Sequence, residues 1–493
     1  MSRTALLALG VTAIAAVVLL LALGPGEVDD PAAEALARDA AEQAERQAEA
    51  DSRRTITTTV PPPEEITTTL VPLEVSADEL HGATMDFLAG PDPAALLPLF
   101  AAMGDTGDPR WVPYILDLRL YATAEVFLAG RHALQQVTGD PGPDDLVEAH
   151  RYYGRWMYDN EVDPGVEYID FKATLYTAID NRFGALLRQI ADPVLVAQLQ
   201  WGGVLVGGIP ELDEQDTISV AAADYMETDE LTFGAVVNGA ARSYPHRILD
   251  HHELANDTLG GEPVALVNCT LCRTGVLYSR RVGDAVLDFQ TSGLLWNSNK
   301  VMMDRQTGSL WEQLTGEALA GDYTGTVLDR FPLTVTLYGD WIAEHPESDV
   351  VSIPADGRYS YQPGDAYADY YRTDVLWFPT FSVPDSIREK AEVATLDWNG
   401  ARLAVEVSVL AEQGPQLLTV GDGTVVAVPT NGGARFYVAG DTILVESDLV
   451  EAQADEAFLV LADGTRLARL VSGHSFWFAW YGAFPDTAWW PSS

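Results

Sequence analysis

The sequence Leu231-Thr-Phe-Gly-Ala-Val-Val-Asn-Gly-Ala-Ala-Arg-Ser-Tyr244 contains two β-rich runs on either side of an Asn-Gly turn. Tight turns between strands favour this dipeptide, because both residues tolerate the positive φ that such a turn requires. Further short β-rich runs follow at 264–267 and 276–278. Beyond Gly202 the sequence therefore predicts a mostly β region with short inserted helices.

In the preceding part of the chain the apolar residues have a different spacing. From about residue 76 to 200 the apolar residues recur at helical spacing, as in the row Trp111, Ile115, Leu118 and Ala122. A spacing of three to four residues places such side chains on one face of a helix. This segment is predicted to be an all-helical domain.

The N-terminal end predicts a membrane anchor. Residues 5–24 are uncharged and about as long as the ~20 residues that cross a bilayer as a helix. Arg3 precedes them and acidic residues follow, which places the N-terminus in the cytoplasm and the rest outside. A cleaved signal peptide is the alternative, but the exit lacks a small-x-small cleavage site. We therefore predict a single-pass protein of the cell membrane, with the bulk of the chain extracytoplasmic.

Composition limits the partners. The 493 residues have a formal net charge of −44, which argues against binding nucleic acid through bulk electrostatics. Residues 26–73 are rich in Ala and Glu and then in Thr and Pro, which predicts a disordered tether, since proline fixes φ and removes a donor. The predicted partner is the membrane, through the N-terminal helix; a substrate or protein partner is not indicated.

The β region contains an internal repeat at an offset of 161 residues. The Asn-Gly turn at Asn238 recurs at Asn399, and the run 264–267 recurs at 425–428. The predicted fold class is therefore α+β with five segments. These are an anchor at 1–25, a tether at 26–73, a helical domain at 74–204, a first β module at 205–370 and a degenerate second module at 371–493.

The chain contains only two cysteines, Cys269 and Cys272, directly after the apolar run 264–267. Two thiols at this spacing can hold a metal ion, exchange electrons as a dithiol, or form a structural disulfide. With His252 they offer three soft or borderline ligands for zinc or copper, and Glu253 is a candidate general base. His246 and His251 are alternative ligands. On an ideal helix His252 and Glu253 cannot both point into one small site.

The second copy of the repeat lacks these residues. At the same offset, Cys269 and Cys272 correspond to Thr430 and Gly433, and His252 and Glu253 correspond to Gln413 and Gly414. Confinement to one copy favours a special role. Further polar residues that could line the pocket or support the ligands are Asn256, Asn297, Ser298, Asp304 and Arg305.

An ordered series of motifs carries a family resemblance. It includes His252-Glu253, Cys269-x-x-Cys272, Asn297-Ser298, Asp304-Arg305-Gln306-Thr307 and the ending Phe476-Trp-Phe-Ala-Trp480. Over roughly 205–490 the chain resembles the bacterial domain of unknown function 3179. Family members often have a tyrosine before the first cysteine and a proline after it, where this chain has Asn268 and Thr270. The resemblance implies no activity.

The sequence thus predicts a membrane-anchored extracytoplasmic protein with a metal-binding site that is also a candidate catalytic site. Its residues are Cys269, Cys272, His252 and Glu253. Two alternatives remain open. One is a non-enzymatic surface binding module with a structural disulfide, and the other is a dithiol oxidoreductase.

Overall fold

A computed structural model describes residues 76–121, 124–364, 366–385, 387–440 and 442–491. The predicted anchor at 1–25 and tether at 26–73 lie outside the described residues. Within the described part of the chain, no helix has both the length and the apolar character needed to span a membrane. Of the described residues, 31% are in helices and 30% in strands, which confirms the α+β class.

Eight α-helices lie among the described residues before residue 200. They are α1 Ala77–Ala89, α2 Leu96–Asp105, α3 Trp111–Leu118, α4 Ala124–Thr138, α5 Leu146–Asp159, α6 Glu167–Thr177, α7 Phe183–Leu187 and α8 Pro193–Gln198. Local chemistry sets several of their starts. Ser76 and Glu79 form a reciprocal capping box on α1, and the Asp145 carboxylate accepts hydrogen bonds from two amides of α5.

Strands predominate from residue 200 onward. Those of the first part are β1 Gln200–Trp201, β2 Leu212–Asp213, β3 Thr217–Ser219, β4 Leu231–Val237, β5 Ala240–Pro245, β6 Leu254–Leu259, β7 Glu262–Cys269, β8 Thr274–Ser279, β9 Arg281–Val282, β10 Ala285–Val286, β11 Phe289–Trp296, β12 Asn299–Asp304, β13 Leu310–Glu312, β14 Ala318–Ala320, β15 Arg330–Phe331, β16 Thr334–Leu337 and β17 Asp349–Val351. The helices among and after them are α9 His246–His252, α10 Tyr338–Glu344 and α11 Ala368–Tyr371.

The remaining elements belong to the predicted second module. Its strands are β18 Glu392–Trp398, β19 Ala401–Glu406, β20 Gln416–Val420, β21 Gly423–Thr430, β22 Gly433–Val438, β23 Gln453–Ala454, β24 Phe458–Val460, β25 Arg466–Ala468, β26 Gly473–Phe476 and β27 Ala488–Trp490. Its helices are α12 Val407–Gln413 and α13 Trp477–Ala483.

The order of elements repeats. The series β4-β5-α9-β6-β7-β8 has its counterpart in β18-β19-α12-β20-β21-β22, with β4 starting at Leu231 and β18 at Glu392. Each series is followed later by a strand-helix-strand unit, β16-α10-β17 and then β26-α13-β27. The turn at Asn238 connects β4 to β5, and the turn at Asn399 connects β18 to β19. Both asparagines have positive φ.

The two series meet in one sheet. A nine-stranded sheet has the order β2-β6-β7-β8-β26-β18-β19-β27, with β15 also paired to β8. In it the meander β6-β7-β8 of the first series joins β26, from the unit that follows the second series, through the pair Gly275 and His474. The other sheets are β16-β4-β5-β17-β3, β1-β11-β12-β13-β14, β20-β21-β22, β23-β24-β25 and β9-β10.

The helical region shares its core with the β region. Phe100, Tyr158 and Phe171 from the helices pack in one buried cluster with Leu294 of β11 and Met303 of β12. Trp296 of β11 also donates a hydrogen bond from Nε1 to Gln198 Oε1 at 3.0 Å. Burial of this shared apolar surface holds the helices against the strands that support the cysteine segment.

One glycine tests the packing of the first module. A Cβ added at Gly234 in β4 would lie 2.2 Å from Cε3 of the buried Trp341 ring. Gly234→Ala is therefore expected to destabilise the fold by about 1–3 kcal/mol through overpacking. Urea unfolding of the full chain measures this. Gly82→Ala in α1, where a Cβ meets nothing within 4 Å, serves as the control and is expected to be neutral or to stabilise by up to ~1 kcal/mol. Equal changes in the free energy of unfolding for Gly234→Ala and Gly82→Ala would contradict the close packing of Gly234 against Trp341.

Candidate functional site

The two cysteines lie at the end of β7 and in the turn that leads to β8. These strands are buried antiparallel neighbours, and the amide of Cys272 closes the turn by donating to the carbonyl of Cys269 at 3.1 Å. Both residues are free thiols, 2% and 0% exposed. Burial, followed by the contact with the Cys269 thiol, raises the pKa of Cys272 well above its ordinary value. The two thiols thus lie in one turn and are shielded from water.

Glu253 lies beside this turn. Its carboxylate forms a buried ion pair with Lys300 of β12 and accepts hydrogen bonds from Thr270 Oγ1 at 2.9 Å and the Tyr367 hydroxyl at 3.3 Å. Thr270 directly follows Cys269 in the turn that contains both cysteines. The carboxylate therefore connects the cysteine turn to β12 and to the segment around Tyr367.

The backbone of Glu253 shows that this position is special. Glu253 ends α9 in the left-handed conformation, with φ of 60°. The equivalent residue at the end of α12 is Gly414, with φ of 76°. A non-glycine residue with this φ costs about 1–2 kcal/mol, and the glycine of the second copy avoids that cost. The first copy keeps a strained glutamate at this position, and its carboxylate forms the contacts just described.

His252 points elsewhere. Its Nδ1 lies 2.7 Å from the carbonyl of Pro210, and its Nε2 lies 2.6 Å from the Tyr361 hydroxyl. Burial lowers its pKa. Its ligand atoms and those of the two cysteines do not all lie within 4.8 Å of one another. The structure thus separates Glu253, beside the thiols, from His252, whose two nitrogens already have partners.

The alternative histidine ligands also have other surroundings. His246 stacks on the ring of Phe233 with 4.0 Å between ring centroids. His251 stacks on Tyr359 at 4.6 Å. Each of these two imidazole rings thus packs against an aromatic side chain of the first module.

Of the predicted polar residues, Asn297 and Ser298 lie near the cysteines. They form the β11–β12 turn, and both have positive φ. The Cys272 thiol donates to the carbonyl of Ser298 at 3.2 Å, and Asn297 Nδ2 donates to the carbonyl of Gly482. Among the described residues, the buried atoms Asn297 Oδ1, Ser298 Oγ, Asn299 Oδ1 and Tyr370 Oη have no hydrogen-bond partner. Ser298 and Tyr370, which both contact the cysteine cluster, therefore carry oxygens with unused lone pairs.

The other three predicted pocket residues support the fold at other places. Asn256 bridges Asp213 and the backbone of Phe289. Asp304 closes the turn after β12 by accepting from Thr307, Ser309 and the Trp311 indole. Arg305 forms ion pairs with Glu211 and Asp213. Residue types and spacing alone cannot distinguish these structural contacts from the support of metal ligands.

An aromatic segment covers the cysteines. The Tyr371 hydroxyl donates to the carbonyl of Thr270 at 2.9 Å, and Tyr370 packs in one buried cluster with both cysteines. Lys390 holds this segment by donating from Nζ to the carbonyls of Tyr370, Thr373 and Val375 at 2.7, 2.8 and 3.0 Å. The cover must move before anything can reach the thiols.

Sequence reasoning missed the lysines of this site, although the composition contains a signal for them. The whole chain has three lysines, Lys172, Lys300 and Lys390. All three are buried, at 0%, 4% and 2% exposure. Arginine supplies nearly all other cations of the chain, so the few lysines mark positions where a compact ammonium is needed.

A second group of side chains can also be compared with a metal site. Glu344, His345 and Glu456 are close enough to hold one ion together, and they are the one such group of three in the described ranges. Arg435, however, already pairs with both carboxylates, at 2.7 and 2.5 Å, and Arg469 pairs with Glu456. The two arginines match the two negative charges. A cation here would have to displace an arginine.

Comparison with known proteins identifies one family. The model of the family described as "Protein of unknown function (DUF3179)" matches residues 206–487, as the resemblance in sequence predicts. No curated protein and no solved structure matches the chain significantly. The family match covers every residue of the cysteine site but leaves the helical region outside.

The buried ion pair gives a prediction. Lys300→Met leaves the Glu253 carboxylate buried and unpaired, which is expected to destabilise the fold by about 3–5 kcal/mol. In Lys300→Met/Glu253→Gln no charge remains, and most of this loss should be recovered. Urea unfolding measures both variants against Arg402→Gln, which breaks an exposed pair with Asp397 and should change stability by less than about 1 kcal/mol. If Lys300→Met proved no less stable than Arg402→Gln, the buried ion pair between Lys300 and Glu253 would be contradicted.

Proposed function

We propose that this chain, which belongs to the DUF3179 family, binds one zinc or copper ion through Cys269 and Cys272. The observation that carries the proposal is that one tight turn holds two buried thiols, which pack in the same cluster. Thiolates favour soft and borderline metals, and two of them supply the negative charge that a buried cation requires. Within this proposal His252 is no longer a ligand, because both of its ring nitrogens have partners.

The surroundings of the thiols support this proposal. Unpaired oxygens on Ser298 and Tyr370 can complete the coordination or bind a water on the ion. The Glu253–Lys300 pair has no net charge, so it orients the turn through Thr270 without opposing the cation. Because its carboxylate is occupied by the lysine, Glu253 fits an anchoring role better than that of a free general base.

The burial of the thiols disfavours a dithiol oxidoreductase. An exchanging thiol needs a depressed pKa and access to its partner. Here both cysteines are buried, and the pKa of Cys272 is raised. A structural disulfide is the second candidate, because the two cysteines pack in one buried cluster and the predicted exterior is oxidising.

Metal content and thiol state distinguish these candidates. The full-length chain, purified without chelators, is expected to contain about one equivalent of zinc or copper and to show two free thiols after denaturation with a chelator. Cys269→Ser/Cys272→Ser should lose the ion, whereas His345→Gln should keep it. Elemental analysis and thiol titration measure both quantities.

Each other outcome has a definite meaning. No metal and no free thiol would replace the metal site with a disulfide. Metal lost in His345→Gln but kept in the double cysteine variant would assign the ion to the Glu344, His345 and Glu456 group instead.

We further propose that residues 5–24 anchor the protein in the cell membrane with the cysteine site outside. The uncharged stretch and the charges around it support this. The full chain should remain with membranes after an alkaline carbonate wash and should be digested by protease added to intact spheroplasts. Release by the wash, or protection from the protease, would contradict the anchor or its orientation.

A further inference from the structure

We propose that the helical region contains a separate binding site for a small carboxylate. A cavity of about 90 Å³ lies between α3, α5 and the segment that follows α11. His150, Asp117 and Tyr176 line it, together with the apolar residues Leu116, Met157 and Phe378. This site lies outside the family match, and it does not depend on the cysteines.

A buried cation next to this wall has no matching anion. Arg119 follows α3 directly and is 4% exposed. Its guanidinium contacts His150 Nδ1 and the carbonyl of Leu146, both at 3.0 Å, and its Nε has no partner. In the described part of the chain no carboxylate forms an ion pair with it, and burial lowers its pKa to about 10. The ring of Phe127 lies 4.4 Å from Arg119 Cζ and offsets part of the cost of burial, and an anion would compensate the remainder.

His150 connects this cation to the cavity. Arginine can only donate, so His150 Nδ1 accepts from Arg119 and the ring proton is on Nε2. Burial, followed by the charges of Arg119 and Arg151, lowers the pKa of His150 to about 3, so the ring is neutral. His150 therefore offers a neutral N–H donor whose orientation is fixed by the cation behind it.

Asp117, the acidic residue in the wall, does not cancel the positive charge of Arg119. Asp117 pairs with the buried Lys172 at 3.3 Å and accepts a hydrogen bond from Tyr168. Whether the proton is on Asp117 or on Lys172, this pair has no net charge. The local sum over Asp117, Lys172 and Arg119 is then one positive charge, which favours an anion.

The dimensions of the cavity and its apolar wall define the rest of the ligand. The volume of about 90 Å³ is smaller than the ~150 Å³ of an engineered cavity that admits benzene. A carboxylate with a short alkyl chain, such as propionate, matches this volume. Its head would lie at His150 and its chain against Leu116, Met157 and Phe378.

Ligand titration of the full-length protein tests the proposal. Propionate is expected to bind with a Kd on the order of 1 mM, as saturation-transfer NMR and thermal shift measure it. Propionamide has nearly the same shape without the charge and should bind about tenfold more weakly, and propylamine should not bind. Similar affinities for all three would overturn the proposal, as would no binding of propionate.

Variants locate the site. Arg119→Gln and His150→Leu should each weaken propionate binding by about tenfold or more. His150→Gln keeps an N–H donor and should retain most of it. Arg110→Gln removes an exposed arginine of the same region and should bind like the unaltered chain. Circular dichroism confirms that each variant is folded. Undiminished binding in folded Arg119→Gln and His150→Leu would contradict the assignment.

Discussion

The ion pair between Lys300 and Glu253 is the contact on which the cysteine site depends. Two charges removed from water remain unfavourable by several kcal/mol unless each meets the other in good geometry. Here the pair joins the end of α9, strand β12 and, through Thr270 and Tyr367, the cysteine turn and its cover. These elements are distant in sequence, so the site forms only when the whole first module is folded.

The duplication explains how such a site arises on a stable frame. Both copies form the same strands and the same short helix, and at the end of that helix the second copy has Gly414 where the first has Glu253. Glycine satisfies the backbone there without strain. The first copy thus keeps a residue with a higher backbone cost at this position, and this difference, together with the cysteines, supports the proposed role of the site.

The sequence predicts the parts of the fold that depend on neighbouring residues. The Asn238-Gly239 turn, the helical periodicity from about residue 76 to 200 and the repeated strand patterns can all be read from short stretches of sequence, and the element order agrees with them. The α+β class is confirmed for the same reason. The boundaries between the predicted helical domain and the two β modules remain a prediction. In the structure, the buried cluster that contains Phe100 and Leu294 joins helices and strands in one core.

The candidate site was less accessible to sequence reasoning, because its contacts are made across the fold. His252 and Glu253 are adjacent in sequence, yet their partners, Tyr361 and Lys300, lie 109 and 47 residues away. Helical spacing implied that only one of His252 and Glu253 faces the thiols, but it could not show which of the two. The scarcity of lysine was the available signal, since each of the three lysines is buried.

X-ray absorption spectroscopy of the metal in the full-length chain tests the central claim most directly. Coordination by Cys269 and Cys272 predicts two sulfur neighbours at about 2.3 Å from the ion. A first shell of nitrogen and oxygen atoms alone would contradict it and would place the metal away from the cysteines.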